Sequence, residues 1–167
     1  MQLPSVDVFI GLFFLFGVAY SFMFQRDKIV TTLCSVYVGI VIAGSFSQTI
    51  FEFFNGNKVV ANQVWIRGNA STSTIAIVLL LASVFLISGA IKTGKKGSES
   101  SLTEIIFYSA LSVALILSSI LGFLPEATRT HYIEISQTAK YLYDWHTLFV
   151  VLPPVILIFM NFRKKDK

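Results

Sequence analysis

The chain has 167 residues, 54% of them hydrophobic and 13% charged, with sixteen Phe and a formal net charge of +4. A soluble domain carries roughly 25% charged residues, and one of this size could not bury so much apolar surface, so the bilayer is the expected solvent for much of the chain. Lys and Arg punctuate apolar runs instead of clustering among polar residues, which excludes a nucleic-acid binder and makes them topology signals.

The first apolar run covers about residues 7–24. "MQLPSVDVF" lacks the basic opening of a signal peptide, so this run is expected to be retained. The second run, 29–51, follows after only "QRDK". A single helix through both would be about 66 Å long, against a hydrocarbon core of ~30 Å. It would also hold Arg26, Asp27 and Lys28 near the bilayer centre, at roughly 2.5–3.5 kcal/mol each. The sequence therefore predicts a tight surface turn at 25–28, with the first two spans as antiparallel neighbours. Cys34, the single cysteine, lies in the second run and is expected to be a packed thiol.

The connection at 52–74 is polar, with Trp65 as an interfacial anchor. A third span follows at about 74–92, then the Gly/Ser/Lys-rich "KTGKKGSESSLTE", in which Ser101 and Glu104 match a capping box. The fourth span is 104–124. In the segment 130–143, Tyr132, Ile135, Ala139 and Leu142 repeat at helical spacing, which predicts an amphipathic helix on the membrane interface. A fifth segment, 145–162, contains Pro153 and Pro154 and reaches about 17 residues, the lower limit for a span, only by borrowing its aromatic flanks. The expected fold is thus one all-α membrane domain with four to five transmembrane helices in antiparallel hairpins. The fifth segment either crosses or is re-entrant.

With five spans, Arg26, Lys28, Lys92, Lys95, Lys96, Arg163, Lys164, Lys165 and Lys167 share one side, nine in all, against Lys58, Arg67, Arg129 and Lys140. The positive-inside rule puts the nine in the cytoplasm and the N-terminus outside. Arg26, Lys28, Lys95, Lys96, Arg163, Lys164 and Lys165 are the expected topology anchors.

Small residues recur at helical spacing: Ser35, Gly39 and Ala43 in the second span, and Ala110, Ala114, Ser118 and Gly122 in the fourth. Such stripes let helices pack closely, within the chain or between subunits. Asp7, Gln48 and Glu52 lie near span ends and form a candidate polar interface; Ser35, Ser45, Ser47 and Gln48 are the candidates for a polar path. His131 and His146 are the only histidines and match no zinc spacing. With no nucleophile motif, phosphate loop or carboxylate pair, the sequence gives no argument for an enzyme, a metal or another cofactor.

The order of these features resembles the colicin V production (CvpA) family of small bacterial inner-membrane proteins. The stretches that carry it are "VDVFIGLFFLFGVAYSFMFQRDKIVTTLCSVYVGIVIAGSF", "STSTIAIVLLLASVFLISGAIK", "SLTEIIFYSALSVALILSSILGFL" and "ISQTAKYLYDW". The chain departs from the family in its first turn, where Gln25-Arg26 lacks a following Gly, and in the added fifth run with its basic tail. The resemblance implies a non-enzymatic protein of the inner membrane that supports toxin production or secretion, or envelope homeostasis. Its expected partners are the lipid bilayer, further copies of itself, or a secretion or envelope complex. A pore or small-transporter subunit is the alternative.

The topology is testable directly. A reporter active only in the cytoplasm, fused after Lys167, should be active; activity of a periplasmic reporter there instead would exclude the five-span arrangement.

Overall fold

The computed structural model describes residues 5–22, 26–54, 71–91 and 102–165. They form seven helices: α1 (Val6–Phe22), α2 (Arg26–Phe54), α3 (Thr72–Ala90), α4 (Leu102–Phe123), α5 (Glu126–Ile135), α6 (Gln137–Asp144) and α7 (His146–Lys165). Within these, Lys28–Phe54, Thr72–Ala90 and Glu104–Phe123 are long and apolar enough to cross a membrane, while the apolar stretches Val6–Ala19 and His146–Ile156 are shorter.

The helices are apolar on both sides. Leu33, Val36, Leu80 and Leu115 are fully buried, yet Val41, Phe16, Leu86 and Phe85 are 66–79% exposed. An apolar residue on the outside of an already apolar bundle is what a lipid-facing helix presents. Cys34 lies on this outer surface too, and so differs from the packed thiol expected.

α4 is the axis. Over half of its apolar window, 56%, is buried, against 33% for the window in α2 and 17% for that in α3. Tyr108, Leu115, Leu33 and Val36 join α4 to α2 in one buried cluster, with Phe149 and Ile156 of α7 packed against it. Ile10, Ala114 and Leu121 join α4 to α1, together with Ala139 and Leu142 of α6. The contacts also fix directions. Ser109, early in α4, bonds the Gly17 carbonyl late in α1 at 3.0 Å, so these two helices run antiparallel. His146, at the start of α7, meets Ser118, late in α4, so α7 is antiparallel to α4 as well.

The principal partners of α1 are α4 and α6, not α2. The expected pairing of the first two spans is corrected accordingly. Gly17 explains the choice, because a Cβ there would overlap Cγ2 of Val113. The missing side chain is what lets α1 approach α4 closely enough for the Ser109 bond. Of the turn expected at 25–28, Arg26, Asp27 and Lys28 belong to α2 instead, and Gln25 lies outside the described residues. The stretch has no Gly or Pro to delay the helix.

α2 and α3 form the closest antiparallel pair. Ala43, Ala76 and Leu80 meet in its centre. At the other end, Nζ of Lys28 donates to the Ser88 carbonyl and, at 3.4 Å, to that of Ile91. Those carbonyls close α3 and have no partner of their own within the helix, so a cation there satisfies both their hydrogen-bonding need and the helix dipole. Thr32 Oγ1 donates to the Lys28 carbonyl at 2.9 Å, which leaves Ser88 Oγ to donate to Thr32 at 2.9 Å.

Gly39 is buried in this pair. A Cβ on it would lie 3.1 Å from the Leu80 carbonyl oxygen, 3.2 Å from Leu80 Cδ1 and 3.4 Å from Val84 Cγ2. Gly39→Ala should be mild, because about 1 kcal/mol gained in helix propensity offsets the crowding. Gly39→Leu should lower the stability of the detergent-solubilised protein by roughly 1–3 kcal/mol through overpacking. Equal melting temperatures for the two variants would show that α2 and α3 do not meet at Gly39.

Candidate functional site

One end of the bundle gathers the start of α1, the end of α4 and the short arm α5–α6. Here the predicted amphipathic helix at 130–143 is broken. α5 stops at Ile135, Ser136 is extended, and α6 starts at Gln137. Ser136 Oγ accepts from the Ala139 amide at 3.0 Å, the bond expected of an N-cap serine. Its hydrogen is donated to Oδ1 of Asp7 at 2.7 Å, and the same oxygen accepts from the Thr138 amide at 3.2 Å. The first turn of α1 thus supplies a carboxylate to the N-terminus of α6, where exposed N–H groups and the helix dipole favour a negative charge.

The break reorients the arm. Ala139 and Leu142 are buried and Tyr132 packs against them. Ile135, expected on the same stripe, is exposed. Between α1, α4 and the arm lies a cavity of about 540 Å³, partly open to the surface and lined by Phe9, Ile10, Leu117, Leu121 and Tyr132 among others. Its only described side-chain polar atom is the Tyr132 hydroxyl. On α5, three residues before Tyr132, the guanidinium of Arg129 sits over the Tyr143 ring, 5.1 Å from the centroid.

A second polar group lies deeper. Ser118 is fully buried, and its hydroxyl donates to the Leu115 carbonyl at 3.1 Å. With that hydrogen engaged, Nδ1 of His146 is the donor in the 3.0 Å contact with Ser118 Oγ. One turn along α7, Tyr37 donates from its hydroxyl to the Val150 carbonyl at 2.7 Å. That carbonyl is four residues before Pro154, which has no N–H to offer it. Tyr37 replaces the bond that the proline removes.

The sequence-predicted residues fall into distinct places. Ser35, Gly39 and Ala43 are buried; Ser35 donates to Thr31 O at 2.8 Å, and Gly39 and Ala43 face α3. Ala114 and Ser118 are buried and Ala110 is half-buried, but Gly122 is exposed with open space around it. Gly122 therefore lies outside the packed stripe. Gln48 and Glu52 bond each other at 3.0 Å on α2, whereas Asp7 is bonded by Ser136 and Thr138. Ser47 is buried while Ser45 and Gln48 are exposed, so the expected polar path of α2 does not share one face. His131 is exposed on α5, and among the described residues no three His, Cys, Asp or Glu side chains converge. Lys28 closes α3, as described above. Arg26, Arg163, Lys164 and Lys165 lie in helices, but their side chains fall outside the described set, as do Lys95, Lys96, Trp65 and Ser101 altogether. Gly17, Tyr37 and Ser136 were missed in the sequence. Only the Pro pair hinted at one of them, by implying an orphaned carbonyl.

No protein-family model matches the chain, and no curated protein or solved structure is significantly similar to it.

Ser136→Ala should cost about 1 kcal/mol through the lost cap. Asp7→Ala should destabilise in the same direction, and the two effects should be less than additive, because they remove one shared contact. Strict additivity in a double-mutant cycle would mean that Asp7 and Ser136 act separately.

Proposed function

We propose that the protein is a non-enzymatic, multi-pass protein of a bacterial inner membrane that supports colicin V-like toxin production or secretion, or envelope homeostasis, as its resemblance to the CvpA family implies. One observation carries the reading. The described interior polar side chains are engaged in helix-to-helix and backbone bonds, from Ser109 on Gly17 to Tyr37 on Val150, while large apolar side chains of α1, α2 and α3 such as Phe16, Val41 and Phe85 face outward. These features support a place in the membrane. The orientation is N-terminus outside and C-terminus cytoplasmic.

The pore or transporter reading draws on the outer surface of α2. Gly44, Ser45 and Gln48 are exposed there, at one end of a helix long enough to cross the membrane. A second subunit would cover them.

Deletion of the gene should sensitise the host to detergent and antibiotics that the envelope excludes, and should reduce export of a colicin V-like toxin. The wild-type chain should restore both, and purified protein in liposomes should pass neither ions nor small solutes. Flux through those liposomes with an unaltered deletion phenotype would favour the pore.

A further inference from the structure

The cavity between α1, α4 and the α5–α6 arm is a built feature. Helix α6 is held over it by the Asp7–Ser136 contact and is seated by buried Ala139 and Leu142. The lining is almost wholly apolar, and the opening lies on a surface where Phe9 is 65% exposed. A polar solute would find only the Tyr132 hydroxyl there, so the lining suits an apolar occupant such as a hydrocarbon chain. The volume of about 540 Å³ is of the size that holds a small organic ligand, 300–1,000 Å³.

A charge on the same helix as Tyr132 selects the rest of the molecule. Arg129 is three residues before Tyr132 and therefore on the same side of α5. Its guanidinium is steadied by the Tyr143 ring, whose residue packs on the same cluster that walls the cavity. Arginine in a fixed position is well suited to a phosphate, which it can bind through two N–H groups. Asp7, the carboxylate next to the lining residue Val6, is turned into the N-terminus of α6. We propose that this cavity holds one acyl chain of an anionic phospholipid, with Arg129 on its phosphate. The proposal rests on the membrane reading above.

The test starts from the full chain in membranes. Resistance to carbonate extraction establishes the membrane reading first, and loss of the protein to the soluble fraction overturns that reading. Protein purified in mild detergent should then retain about one equivalent of phosphatidylglycerol after washing. Leu117→Trp fills the cavity and should retain at least tenfold less at an unchanged melting temperature. Arg129→Gln should lose the preference for phosphatidylglycerol over phosphatidylethanolamine. Should the Trp variant fail to fold, wild-type protein in vesicles containing a phosphatidylglycerol with a diazirine in its acyl chain decides the matter. Labelling should concentrate on Phe9, Leu117 and Leu121 over Phe85 and Leu86. Equal labelling of both sets, or wild-type protein in the membrane that washes free of lipid, overturns the proposal while the membrane reading stands.

Discussion

In hydrocarbon there is no water to complete a hydrogen bond, so every backbone carbonyl that a helix leaves open needs a partner from the protein. Much of this bundle is arranged around that requirement. α7 carries two prolines and α3 ends at the level of the Lys28 side chain, so both expose carbonyls. Tyr37 answers the Val150 carbonyl of α7 and Lys28 the carbonyls of α3, and both come from α2. α2 thereby connects helices that are distant in sequence. The buried hydroxyls of α4 follow the same rule by turning inward on their own helix, Ser112 on Tyr108 at 2.8 Å and Ser119 on Leu115 at 2.7 Å.

This economy sets the character of the interior. Between membrane helices there is little hydrophobic driving force, so association rests on close packing and on hydrogen bonds typically worth ~0.6 kcal/mol each. Gly17 and Gly39 allow the packing, at α1–α4 and α2–α3 respectively. The hydrogen bonds then define which helix faces which. Among the described residues no buried side-chain nitrogen or oxygen lacks a partner.

What could be read from the sequence follows the range of each interaction. Helix positions were legible because hydropathy is local; the apolar runs at 29–51 and 104–124 lie within α2 and close to α4. The small stripe of α2 was legible because four-residue spacing is local too. Which stripe it meets was not, and neither was the pairing of α1 with α4, because that depends on Val113 fitting the space above Gly17. The break at Ser136 was invisible for a similar reason. Tyr132, Ile135, Ala139 and Leu142 give one continuous helical pattern, and the contact that accompanies its division comes from Asp7, 129 residues away. Cys34 failed as a core residue because hydropathy does not tell an inward from a lipid-facing position when both are apolar.

The central place of α4 has a consequence for synthesis. The α2–α3 pair contains its own small-residue seam and its own Lys28 closure, so it can be complete before α4 leaves the ribosome. α1 has no such early companion: its close contact, through Gly17, is with α4. The first helix to be made is therefore among the last to be packed in place. α6 joins it later still, because the Asp7 contact cannot close until residues 136–138 have been made.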